Sequence, residues 1–519
     1  MVEAPNAKEN EERRLTHWSE RLAEDVVAKK SGPYFVTGGM TTSGTPHLGT
    51  VCEFLYPYVI SQTLREKGEI VEFVFIGDIL DAFDGVPSDL AQFEKELTPE
   101  LGKPLVHTID PFKCHSSYGE HFLSAAEGLM QKLELKIKAE RVNVLYEKGM
   151  FDPYASLYLM QEEKVKEVVA RTSFRKIEDM KNWSPIMPIC AQCGKIATTR
   201  VTWHDDKEYE YSCDVDVKYT KGCGYKGRNK ISDHRYKLSW RLHWPSWQAI
   251  FNTSIEFSGV EHMTRGSSAD TAIAIHKEIL EREPPILGKY GLIMLHGKKY
   301  SKSKGIGMGA GEIMEFIPPE LLKYMLIEPD LPSNKDIDPT GDKLVLLYNE
   351  VEKISTMKAP QNRAEEKKMV ALRLATPKLH WKASFTEILI NYQIYKDWGE
   401  VGARLDDREG VKYLAPYIDN WLARGLAPEK YKFSLRPAKI TEHKDAIIDF
   451  VNRLKENMTD LEVHNLVYDV ATEHKIRADE LFKQLYLGTI GKESGPKIGK
   501  LLSSLGVAKT KELINIATS

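Results

Sequence analysis

Tyr34-Phe35-Val36-Thr37-Gly38-Gly39 is a short β-prone run closed by two glycines, and the loop Thr42-Ser43-Gly44-Thr45-Pro46-His47-Leu48-Gly49-Thr50 follows it. Beyond the loop Val51, Phe54, Leu55, Tyr58 and Val59 recur at helical spacing, and Val71, Phe73 and Phe75 then alternate toward Gly77-Asp78. Strand, loop, helix and strand in that order make a βαβ unit. They predict a parallel sheet whose ligand lies beyond the carboxyl ends of the strands. Pro57 falls inside the helix, removes one backbone hydrogen bond and predicts a kink or an early start of regular structure there.

Working outward, residues from about 105 to 235 interrupt this rhythm with an amphipathic helix over Tyr154 to Val169 and then a glycine-rich segment holding four of the six cysteines. The α/β pattern resumes near Ile255 and runs to Leu295. From about 345 the chain turns helical, with Ile447, Ile448, Val451 and Leu454 expected on one buried face and Leu461, Leu466, Val467 and Val470 on another. The fold class expected is α/β, followed by a separate all-α region.

The 519 residues carry 72 Lys+Arg against 75 Asp+Glu, a net charge of −3, so any nucleic-acid contact must come from local basic patches. Apolar residues at 42% and charged residues at 28% exclude disordered and fibrous classes. Six cysteines are too few for a secreted disulfide framework, the polar start MVEAPNAKENEERR carries no export or organelle signal, and no stretch is apolar enough to span a membrane. A cytoplasmic protein is expected.

The first loop lies between a strand and a helix, where unpaired N–H groups and the positive end of the helix dipole favour a phosphate. His47 can donate to a phosphate oxygen there. About 250 residues later comes Lys298-Lys299-Tyr300-Ser301-Lys302-Ser303-Lys304-Gly305, a basic loop suited to a triphosphate and to the charge that builds on departing pyrophosphate. Cys190-x2-Cys193, 19 residues, then Cys213-x9-Cys223 offers four thiolates for a structural zinc, with Gly194 and Gly224 following two of them and His204 as an alternative ligand.

A His-x-Gly loop after the first strand and a Lys-x-Ser-Lys-Ser loop after the last are the two signatures of class I aminoacyl-tRNA synthetases. With Cys114-His115-Ser116-Ser117-Tyr118-Gly119-Glu120-His121-Phe122, Trp240-Arg241-Leu242-His243-Trp244-Pro245, Gly259-Val260-Glu261-His262, Gly266-Ser267-Ser268-Ala269-Asp270-Thr271 and Ile490-Gly491-Lys492-Glu493-Ser494-Gly495-Pro496, the sequence resembles the archaeal-type class I lysyl-tRNA synthetases over nearly its whole length. The resemblance implies ATP-dependent activation of L-lysine and its transfer to lysine tRNA, with Mg²⁺ arriving on ATP. It assigns His47, Lys299 and Lys302 to catalysis, and Ser43, Gly44, His47, Gly49, Thr50, Gly259, Glu261, Lys299, Ser301, Lys302 and Ser303 to ATP. Gly39, Thr41, Glu53, Trp240 and His262 would bind lysine, with Asp78 and Asp81 as the next candidates for its ammonium. Cys190, Cys193, Cys213 and Cys223 would hold Zn²⁺ in the part that handles the tRNA acceptor end.

The resemblance divides the chain into the first half of a Rossmann-like catalytic domain (15–104), a helical and zinc-bearing insertion (105–235), the second half of the catalytic domain (236–305), a connecting stem-contact region (306–344) and a helical anticodon-binding domain (345–519). Basic positions Lys430, Lys432, Arg436, Lys439, Lys497 and Lys500 are expected to serve the tRNA. A monomer is expected. The sequence departs from the family at Tyr300, where Met is usual, at Glu261 and His243, where Asp is usual, and at Thr50, where Asn or His is usual. None of these removes a phosphate-binding lysine. The alternatives are a relative that adenylates another amino acid and a non-catalytic tRNA-binding protein that kept the fold.

Overall fold

The computed structural model describes residues 16–295, 298–299 and 308–519. β1 (Tyr34–Thr41) and β2 (Val71–Asp78) lie parallel along their full length, Tyr34 beside Val71 and Thr41 beside Asp78. β3 (Ala139–Arg141) pairs with the far side of β2, β4 (Ile255–Gly259) with the other side of β1, and β5 (Ile286–Tyr290) with β4, every pair parallel. The order is therefore β5-β4-β1-β2-β3. From β1 the chain builds first to one side and later to the other, which opens a crevice at the carboxyl ends of β1 and β4.

α1 (Trp18–Lys29) packs through the indole of Trp18, edge-on to Tyr56 with centroids 5.7 Å apart. Tyr56 belongs to α2 (Leu48–Glu66), which runs through Pro57 without a break in its assigned span, so regular structure neither stops nor starts at the proline. The proline lacks the N–H that would bond the Glu53 carbonyl, and that carbonyl lies against β1 instead. A Cβ on Gly38 would stand 2.8 Å from it and 2.9 Å from the proline ring, so glycine permits this approach of helix to strand.

The insertion begins with helices and ends with two small antiparallel sheets. The amphipathic stretch expected as one helix is two, Asp152–Met160 and Glu162–Ser173, because Gln161 leaves helical geometry between them. Arg200–His204, Glu208–Ser212 and Lys226–Lys230 form one sheet, and Ile186–Pro188 pairs with Tyr236–Leu238. One apolar core joins insertion and parallel sheet, running from Ile76 through Tyr146, Tyr158 and Tyr236 to Trp244 and Trp247. α3 (Tyr118–Lys132) is capped by Ser117, whose hydroxyl accepts the Glu120 amide. α4 (Trp240–Ile250) follows directly on Tyr236–Leu238.

These elements belong to one compact unit, made of residues up to Ile313 with Leu322–Ile337 and Gln361–Ala375. The other unit, Met314–Leu321, Asp338–Pro360 and Thr376–Ser519, is helical, and its core includes Phe450, Val467, Leu485 and Leu501. Ile447 and Val451 are buried as expected, whereas Ile448 is exposed, since a step of one residue turns it about 100° away from its neighbour. Leu461 is exposed too, while Leu466, Val467 and Val470 are buried. Among the described residues no helix is long and apolar enough to cross a membrane.

Candidate active site

At the start of α2 the backbone and His47 are locked together. Nδ1 of His47 accepts the Thr50 amide at 3.2 Å, and the Thr50 hydroxyl accepts the His47 amide at 3.3 Å, a reciprocal cap. Because Nδ1 is an acceptor, the proton of the neutral ring sits on Nε2, which makes that atom a donor. The ring lies over Gly49, where a Cβ would stand 2.7 Å from Cε1, so the glycine is required by the histidine. Ser43 and Gly44 lie just before this helix, with the Ser43 carbonyl accepting from the Tyr118 hydroxyl at 3.0 Å, and neither lines the cleft.

That cleft, about 500 Å³, opens at the carboxyl ends of the strands. Of the residues assigned to ATP or lysine from the sequence, Gly39, Thr41, His47, Gly49, Thr50, Glu53, Trp240, Gly259, Glu261 and His262 line it, together with Asp78 and Asp81. The sequence reading missed Trp244, Trp247, Glu256 and Tyr290, which also line it. Trp240, Trp244 and Trp247 fall on one face of α4 at steps of four and three residues, a spacing visible in the sequence. Trp240 and Trp244 stack in near-parallel planes with centroids 5.9 Å apart, and His262 lies 6.1 Å from Trp240.

The cleft is acidic. Glu53, on α2, accepts the hydroxyl of Tyr290 at the end of β5, and among the described residues no cationic side chain forms a salt bridge with it. Burial pushes its carboxyl up to about 8, Glu256 and Glu261 add to the shift, and the Tyr290 hydroxyl opposes it. Glu256, on β4, is buried among neutral donors, Trp247 Nε1 at 3.0 Å and Gln248 Nε2 at 2.6 Å, and burial raises it to about 7. Asp78 and Asp81 have a cation already, the ammonium of Lys237. Asp78 and Asp81 are thus matched by a cation, whereas Glu53 has no salt bridge among the described residues.

The second basic loop falls mostly outside the described residues. Ser301, Lys302 and Ser303 are among those not described. The backbone of Lys298–Lys299 pairs antiparallel with Met294–Leu295, one residue beyond Ile293, which lines the cleft.

The four insertion cysteines converge. Their Sγ atoms all lie within 4.8 Å of one another, with Cys190–Cys223 and Cys193–Cys213 each 3.7 Å apart. A tetrahedron of zinc–sulfur bonds of ~2.3 Å has edges of about 3.8 Å, which the two 3.7 Å pairs match, so the tetrad suits zinc. Gly194 and Gly224 adopt φ of +74° and +80° and turn their amides back to the Cys190 and Cys213 carbonyls, which closes the two loops around the thiols. His204 is not a ligand; its Nε2 is 2.9 Å from Glu162. A second set was missed. Asp110, Cys114, His115 and His121 bring a carboxylate, a thiol and two imidazoles within 4.8 Å at the entrance to α3, a donor set that suits a divalent metal. Burial works against the Asp110 carboxylate, yet the amides of His115, Phe112 and Cys114 hold it below the usual range.

A parallel sheet with a capped helix start at its switch point, and an acidic cleft beside it, is where open α/β sheets place their ligands. The model of the family described as tRNA synthetases class I (K) matches residues 16–378, and the chain belongs to that family. The lysine–tRNA ligase of Archaeoglobus fulgidus is 30% identical over 518 residues, covering 96% of this chain and 100% of that one. Those of Methanosarcina barkeri strain Fusaro and Thermoplasma acidophilum are 30% and 28% identical, covering 94% and 96% of this chain and 95% and 98% of theirs.

Proposed function

We propose that the chain is a lysine–tRNA ligase that activates L-lysine with ATP and passes it to the 3′ end of lysine tRNA. The observation that carries this reading is Glu53, a carboxyl pushed to about 8 in a cleft walled by tryptophan, with no salt bridge to it among the described residues. A side-chain ammonium restores its ionised form, and the apolar stem of lysine suits the Trp240 face. Gly39, Thr41 and His262 complete that pocket.

ATP lies along the crevice with its phosphates toward the start of α2. The Nε2 donor of His47 and the amides around Gly49 hold the α-phosphate region, Glu261 and Gly259 the ribose, and the loop of Lys299, Ser301, Lys302 and Ser303 the β- and γ-phosphates. The lysine carboxylate attacks the α-phosphorus, the bond to the bridging oxygen breaks and pyrophosphate leaves. The terminal tRNA hydroxyl then attacks the acyl carbon and AMP leaves. No residue of the chain forms a covalent bond, so catalysis is positioning and electrostatic stabilisation. Mg²⁺, when bound with ATP, neutralises phosphate charge. The cysteine tetrad would hold a structural zinc that braces the insertion, and the Asp110 set a second ion. The reaction belongs in the cytoplasm with protein synthesis. ATP–pyrophosphate exchange with each amino acid in turn tests the reading. Exchange driven by lysine alone supports it, and exchange driven by another amino acid, or by none, refutes it.

A further inference from the structure

Lys237 is a fully buried lysine inside the wall of the proposed substrate cleft. It sits on Tyr236–Leu238, the strand that carries the chain out of the cysteine-bearing insertion and into α4. Its ammonium donates to Asp78 Oδ2 at 2.7 Å and to Asp81 Oδ1. Burial alone would lower its pKa, but the two carboxylates more than reverse this and hold the proton on. Around the trio, the Thr41 hydroxyl donates to the other oxygen of Asp81 at 3.0 Å. Nε2 of His243 stands 3.5 Å from Asp78, and its Nδ1 is 2.9 Å from the Tyr146 hydroxyl.

A buried ion pair is weak evidence for stability, because apolar residues of similar volume do as well or better. A role in the cleft explains it better. Five carboxyl groups line the cleft, and their partners distinguish them: Asp78 and Asp81 accept from Lys237, Glu53 from Tyr290. Asp78 closes β2, and Asp81 follows it. Glu53, on α2, accepts from Tyr290 at the end of β5, which lies on the opposite side of β1 from β2. Lysine brings two ammonium groups and only one of them may lead. A cleft with two unfilled acidic ends would accept the substrate in either direction, and in one of them the carboxylate would point away from ATP.

Resting on the lysine-activating reading, we propose that Lys237 is the specificity-determining positioning residue of the cleft: a tethered ammonium that fills the Asp78/Asp81 end and leaves the substrate's side-chain ammonium only the Glu53 end. The device also excludes small diamines, which lack the carboxylate and would otherwise place an ammonium on either acidic group.

The test uses the full-length chain and five forms of it: wild type, Glu53→Gln, Asp81→Asn, Lys237→Met and Lys237→Arg. Lysine-dependent ATP–pyrophosphate exchange gives KM and kcat for lysine and KM for ATP, and calorimetry gives the affinity for cadaverine, which is lysine without its carboxylate. Asp81→Asn should raise KM for lysine at least about tenfold less than Glu53→Gln does, since Lys237 and not the substrate occupies that carboxylate. Lys237→Met should bind cadaverine about tenfold more tightly or better and use lysine poorly, with KM for ATP nearly unchanged, and Lys237→Arg should restore discrimination. An Asp81→Asn variant that loses lysine affinity as severely as Glu53→Gln overturns the proposal, because Asp81 would then be the ammonium acceptor. So does a folded Lys237→Met with unaltered cadaverine affinity. If that variant does not fold, Asp81→Asn decides alone. A wild type that shows no lysine-dependent exchange, while Lys237→Met still binds cadaverine more tightly than it does, would instead overturn the reading beneath the proposal.

Discussion

His47 accepts the Thr50 amide through Nδ1 while Thr50 accepts the His47 amide through its hydroxyl, so one imidazole caps α2 and keeps the proton of its neutral ring on Nε2. The two roles separate by mutation. His47→Asn keeps an N-cap acceptor and should melt within a few degrees of wild type, because an asparagine cap costs at most a few tenths of ~1 kcal/mol. It loses the Nε2 donor and should slow adenylate formation about 100-fold, measured by exchange. A large fall in melting temperature with unchanged exchange would show that His47 only caps the helix.

Gly49→Ala attacks the same arrangement from beneath. Its Cβ would stand 2.7 Å from the His47 ring, so the imidazole must swing away. Exchange should fall about as far as in His47→Asn, although alanine favours the helix itself by roughly 0.5–1 kcal/mol. Steady-state exchange beside a thermal melt checks both expectations.

The raised Glu53 carboxyl gives lysine affinity a pH dependence with a definite sign. Below about 8 the free enzyme holds this proton, and an arriving ammonium must displace it. KM for lysine should therefore fall by roughly tenfold per unit as pH rises from 6 toward 8, then level off. Glu53→Gln should bind lysine weakly and show no such slope. In the folded chain the proton is retained between 4.5 and about 8 where the unfolded chain has lost it, so this group lowers the stability of the ligand-free protein as pH rises through that window.

Metal content should read two zinc per chain by elemental analysis. Cys193→Ser should remove one and loosen the insertion, detected as faster proteolysis between the cysteine loops, and His121→Ala should remove the other. One zinc in the wild type, unaffected by His121→Ala, would show that the Asp110 set is only a hydrogen-bonded turn.

In the helical unit, the basic residues expected to serve tRNA are partly spoken for: Lys430 pairs with Asp342 at 2.6 Å, Lys432 with Glu429 at 3.1 Å and Lys500 with Glu387 at 3.8 Å. Lys396 and Arg436 line a shallow basic hollow with Lys432 and Lys492, the latter two beside Glu429. Lys396→Glu with Arg436→Glu should raise KM for tRNA about tenfold and flatten the salt dependence of charging, while lysine-dependent exchange proceeds at the wild-type rate. Charging that is indifferent to both changes would place the RNA elsewhere.

Local patterns carried most of what was legible beforehand. The βαβ reading needed only residues within one window, and His47, Gly49 and Glu53 follow because they stand on the loop and first turns of a helix whose direction the strand sets. Tyr290 and Glu256 were hidden, since they meet Glu53 only through the order in which distant strands assemble. His204 illustrates the same limit in reverse. Spacing permitted it as a ligand, and a glutamate on another helix takes it instead. The pattern of Asp110, Cys114, His115 and His121 was in plain sight, but two histidines and one cysteine among ordinary polar residues give little warning before the turn brings them together.

The tryptophan face of α4 has an optical consequence. Three of the nine tryptophans of the chain line the cleft, two of them stacked and the third, Trp247, hydrogen-bonded to a carboxyl that burial keeps near neutrality. Indole emission responds to nearby charge and to the loss of water, and a bound ammonium supplies both changes at once. The protein thus carries its own fluorophore where the substrate arrives, so that occupancy of the cleft can be followed by light in the unlabelled chain, before any bond is made.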